Sequence, residues 1–123
     1  GPGPTPEPPA PIPGGANRVL IVYESSDLPR YTPEQASVFT AASVREYLTR
    51  KCAKGPDGRT PEYRVWDKDV DTSAVSDTWK DAMKLPRQSL PWIIISNGTT
   101  GFNGPLPPNA AETLTLLKKY MGE

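Results

Sequence analysis

The side chains that can give or take a proton, an electron pair or a metal ion form a short inventory in this chain. Its 123 residues include no histidine and one cysteine, Cys52. That excludes a Ser-His-Asp triad, a Cys-His pair and an ordinary zinc site. It also excludes an intrachain disulfide. Thr32, Ser25 and Ser26 carry hydroxyls, but no histidine or evident lysine base stands beside them to make a nucleophile. Asp67, Asp69 and Asp71 alternate like the opening of a calcium loop. Counting on from Asp67, Thr72 stands where that loop needs glycine, and Thr78 where it needs a bidentate glutamate. A solvated strand end is expected there, and the sequence calls for no metal and no other cofactor. Asn97-Gly98-Thr99 fits a glycosylation acceptor. The same residues suit a tight turn, which is the reading carried forward.

Charge narrows the partners further. Lys plus Arg number 14, Asp plus Glu number 14, and the formal net charge is zero. A nucleic-acid binder usually shows a basic excess, and a charge-driven membrane binder needs one too. No apolar run approaches the ~18 residues of a membrane span. There is no initiator methionine and no hydrophobic leader core. The chain reads as one domain of a longer protein, monomeric by itself, with a protein or peptide as its partner.

Two regions are expected. Residues 1–17 read as a Pro/Gly-rich linker, because the first 15 contain seven of the 16 prolines. Such a segment prefers extended polyproline II and does not bury a core. It serves as a spacer, with Pro8, Pro9, Pro11 and Pro13 offering contacts to a groove that binds proline-rich ligands. Residues 18–123 read as the folded domain.

Within that domain, "RVLIVYE" predicts a buried strand over 18–24. "SSDLPRY" reads as a loop. Thr32 caps one long helix running to about 53, with Pro33 at its first position and Gln35 completing a capping box. Val38, Ala41, Val44, Leu48 and Cys52 recur on one face of it. That places Cys52 in the core, far from the helix start. A second strand is predicted over 62–67 and a short helix after Ser76, stopped by Pro86. "WIII" predicts a third strand and Asn97-Gly98 a two-residue hairpin into a fourth, over about 100–104. Asn109 and Glu112 cap a last helix with Leu114, Leu117 and Tyr120 turned inward. A strand-helix-strand unit demands parallel strands and a hairpin demands antiparallel ones. The expectation is an α/β fold with a four-stranded mixed sheet and helices on both faces.

This order, with "SLPWIII" and then "NGTTGFNG" and "ETLTLLKKY", resembles the thioredoxin-like fold over about residues 18–120. The resemblance implies a cis peptide bond before Pro91. It also implies a peptide-gripping surface made by the helix start and the proline loop, here Tyr31 and Thr32 with Leu90, Pro91 and Trp92. The family's C-x-x-C motif is absent: the helix opens Thr32-Pro33-Glu34-Gln35. One cysteine excludes dithiol chemistry within the chain. The leading expectation is therefore a non-catalytic thioredoxin-like domain used for protein interaction or as a structural module. The alternative is an enzyme, either a single-cysteine redox protein acting through Cys52 or a transferase using Thr32 or Tyr31 to activate a thiol cofactor such as glutathione.

Overall fold

Two strands of β-branched and aliphatic residues form the centre of the molecule. A computed structural model describes residues 11, 12 and 16–122. Strand β1 (Arg18–Tyr23) lies between β2 (Tyr63–Asp67) and β3 (Trp92–Ser96), and β4 (Gly101–Pro105) completes the order β2-β1-β3-β4. The pair β1/β2 is parallel, with Val19 opposite Tyr63. The other two pairs are antiparallel, with Val22 opposite Trp92 and Ile93 opposite Gly104. The expected four-stranded mixed sheet is therefore present.

Side chains alternate across a pleated sheet. Here both faces of the central strands are buried. Val19, Ile21, Ile93 and Ile95 join one core layer with Val38, Val44, Tyr47, Leu48, Cys52 and Leu117. Leu20, Val22, Trp92 and Ile94 join the other with Trp79 and Ala82. The first layer is covered by α1 (Pro33–Val38), α2 (Ala42–Lys51) and α4 (Ala110–Met121), the second by α3 (Asp77–Met83). Continuous apolar runs such as "LIV" and "WIII" are what double coverage requires.

The single long helix expected from Thr32 is in fact two. Phe39 and Thr40 form a turn, and Ala41 steps out to an extended backbone at ψ 124°. The run Ser37-Val38-Phe39-Thr40 consists of residues with middling helix propensity, so it resists a break weakly. Phe39 gains from the break: its ring stacks on Tyr23 at 4.8 Å and meets Tyr31 at 6.0 Å. The apolar face survives across the two pieces, with Val38, Val44, Leu48 and Cys52 all buried.

Capping follows the sequence in part. The Thr32 hydroxyl accepts the Gln35 N–H at 3.1 Å, and the Asn109 side-chain oxygen accepts the Glu112 N–H at 2.8 Å. The Gln35 side chain does not close its box. Its amide reaches across to the Leu106 and Pro107 carbonyls and ties α1 to the chain after β4. The hairpin predicted at Asn97-Gly98 is shifted: the ladder ends at Ser96 opposite Gly101, and the Asn97 N–H donates to the Thr100 carbonyl at 3.0 Å around Gly98-Thr99. The Asn97 side chain holds this turn: its oxygen accepts the Thr99 and Thr100 N–H groups, and its amide donates to the Tyr120 carbonyl at 2.9 Å. Gly98 adopts φ 89°, which favours glycine.

At the β2 edge, Arg64 bends back to donate to its own chain, at the Pro61 and Tyr63 carbonyls. It also lies 4.9 Å over the Trp79 ring. The Trp79 indole N–H donates to the buried Glu62 carboxylate at 2.9 Å.

Of the expected linker, residues 1–10 and 13–15 lie outside the described residues, so the groove contacts imagined for Pro8, Pro9 and Pro13 do too. Ile12 is described, and it is 1% exposed, in the second core layer.

Candidate functional site

At their carboxyl ends β1 and β2 run into polar turns, the place where α/β sheets commonly leave room for ligands. After β1 the chain forms a 3-10 turn over Ser25–Arg30, where a loop was expected. Glu24 starts it by accepting the Ser26 N–H and hydroxyl. After β2, Asp67 accepts the Ser25 N–H at 2.7 Å and the Asp69 N–H at 2.8 Å, which joins the two strand ends. The Lys68 ammonium lies 3.1 Å from both Glu24 and Asp69.

These contacts set the charges. The Ser26 N–H, then Lys68, hold the Glu24 carboxyl below its ordinary range. The N–H groups of Ser25 and Asp69 do the same for Asp67. Asp69 first, then Glu24, push Lys68 upward. Carboxylate oxygens of Glu24, Asp67 and Asp69 come within 4.8 Å of one another. This differs from the alternating Asp67-Asp69-Asp71 set, because Asp71 turns away to accept the Ser73 N–H. Lys68 already supplies the positive charge at the cluster.

Across from this joint, the segment before β3 completes a cleft of about 430 Å³ lined by Asp27, Lys68, Arg87, Gln88, Ser89 and Leu90. Arg87 is held in place by donating to the Met83 carbonyl at the end of α3. On the other side of the 3-10 turn lies a more apolar groove of about 370 Å³, formed by Tyr23, Leu28, Ala36, Phe39 and Thr40. Leu28 is the one exposed large hydrophobic residue among the described residues, at 36%.

The structure distributes the expected surface residues around this end. Leu90 lines the cleft. Pro91 follows a cis peptide bond and is buried, with its carbonyl accepting the Leu106 N–H. Trp92 is 5% exposed in the second layer, and its indole N–H donates to the Asn103 side chain. Tyr31 packs on Phe39 in the first layer, and its hydroxyl accepts the Glu24 N–H. Thr32 is exposed and occupied as the α1 cap. Tyr31 thus belongs to the first core layer, and Leu90 and Trp92 to the second. Asp27, Lys68, Arg87, Gln88 and Ser89 were not singled out from sequence. The adjacency of "SSDLPR" and "PRQSL" exists only once β1 and β3 pair.

Cys52 lies away from this end, 4% exposed in the first layer. Desolvation pushes its thiol up to about 12. No protein-family model, curated protein or solved structure matches this chain.

Proposed function

We propose that this chain is a non-catalytic thioredoxin-like domain that binds an extended peptide across the carboxyl end of its sheet. The observation that carries the reading is the open cleft between the 3-10 turn and the Arg87–Leu90 segment, with no thiol at the helix start behind it. The order β2-β1-β3-β4, parallel only between β1 and β2, supports the fold assignment. So does the position of Pro91 at the head of β3. The lining supports a peptide as the ligand: Leu90 offers apolar contact, and Ser89, Gln88 and Arg87 offer hydrogen bonds. The few convergent polar groups beside apolar surface are what recognition sites share.

The test is a peptide-display selection on the purified chain, followed by affinity measurement on enriched sequences. Leu90→Asp and Arg87→Ala should each weaken binding at least tenfold while the chain stays folded by circular dichroism; Leu90 also packs on the second core layer, so its variant melts lower. Equal affinity in both variants, or no enrichment at all, overturns the reading. Trp92 is not a suitable probe residue. A charge in place of its buried ring breaks the second core layer, so the loss of binding would report unfolding.

A further inference from the structure

The proline-rich segment is not merely joined to the domain. Ile12 lies six residues before β1, yet it is 1% exposed and belongs to the core layer of Leu20, Ile94 and Trp79. Its carbonyl accepts the buried Ser96 hydroxyl at 3.0 Å. Pro11 lies close against Gly101, where a Cβ would meet the Pro11 Cδ at 2.4 Å and the Ile95 carbonyl oxygen at 2.1 Å. Ser96, Ile94 and Trp92 share one face of β3 by alternation. Trp79 of α3 covers the β2 side of that face, where it touches Glu62, Arg64 and Trp66. Ile12 covers the Ser96 end.

We propose that this face carries an acceptor site for a Pro-Ile segment, and that the chain's own Pro11-Ile12 occupies it as a strap that releases without unfolding the domain. Two features support release. Among the described residues, the strap is held by one buried side chain, one side-chain hydrogen bond and a proline laid on a glycine. Neither Pro11 nor Ile12 joins a strand. Burial of one isoleucine favours docking by roughly ten- to a hundredfold. Global unfolding of a domain is disfavoured by ~10⁴-fold or more. The strap therefore opens far more often than the core. This inference does not depend on the peptide cleft, which lies at the other end of β1.

Thiol labelling of full-length Ile12→Cys tests it, with Cys52 as an internal clock for opening of the first core layer. A cysteine buries less apolar surface than isoleucine, so the introduced thiol should react several-fold to about tenfold more slowly than in the denatured chain. Cys52 should be slower by at least another tenfold. Ser96→Ala in the same background removes the donor to the Ile12 carbonyl, and should speed the introduced thiol several-fold without changing Cys52. Equal rates for the two thiols would make Ile12 an ordinary core residue and overturn the proposal. A rate equal to that of the denatured chain would show no docking and overturn it too. Should the cysteine variant not fold, relaxation dispersion of the isoleucine methyl groups in the unaltered chain decides. An exchanging minor state at Ile12 with none at Ile94 supports the strap; no exchange at Ile12, or equal exchange at both, overturns it.

Discussion

Cys52 is the residue on which any thiol chemistry would depend. It is buried, and desolvation lifts its thiol to about 12. The thiolate is the reactive form, so native Cys52 should alkylate orders of magnitude more slowly at pH 8 than in urea. Fast native labelling would revive a single-cysteine redox reading. Glu62 is the other telling residue. Its buried carboxylate receives the Trp79 indole N–H and faces Arg64 at 3.9 Å. Glu62→Ala strands that donor, which costs about 1–3 kcal/mol. A urea unfolding midpoint measures the loss. Nothing in the sequence around Glu62 announced its burial, because its partner arrives from α3, 17 residues later.

At the scale of elements, capping chemistry was legible and tertiary compensation was not. Thr32 and Asn109 were readable as caps, since a cap acts within one turn. Thr32→Ala and Asn109→Ala should each cost about 1 kcal/mol in chemical denaturation. The Gln35 side chain was assigned to the same box, but its true partners, Leu106 and Pro107, lie about 70 residues away. The break after α1 was missed for a similar reason. Helical periodicity continues through Phe39, and its ring contacts with Tyr23 and Tyr31 reward leaving it. Asn97 misled in the same way: it stands before the turn rather than in it, and its amide reaches the Tyr120 carbonyl, 23 residues on. The buried strands were the clearest signals, because two-sided burial writes itself into the sequence as an unbroken apolar run.

For the whole molecule, acid sensitivity is set by exposed turns. Hydrogen bonds from the Thr60 hydroxyl and the N–H groups of Thr60 and Arg59 hold Asp57 at about 2. Glu24, Asp67 and Asp71 are also held below their ordinary values. Each such carboxyl binds its proton less readily folded than unfolded. Its contribution is complete above the ordinary carboxylate range near ~4 and is lost as pH falls through the folded value. For Asp57 that window runs from ~4 down to about 2. Melting temperature should therefore decline from pH 5 to pH 2, and Asp57→Asn should flatten part of the decline. A profile unchanged in that variant would show that the turn contributes nothing. The cleft was half legible at this scale: the loop before β3 stood out, while its opposing wall required the sheet order.

Arg64 has a consequence beyond its own strand. An exposed sheet edge presents outward carbonyls that invite another chain to pair with it. In a parallel pair outward groups alternate with paired ones, and Val19 bonds to the Glu62 carbonyl, which leaves Tyr63 facing out. Arg64 fills that acceptor with its own guanidinium, and Pro105 ends the opposite edge without an N–H. Each margin of the sheet thus carries a position that offers no bond to an added strand, so a ladder begun there would be interrupted.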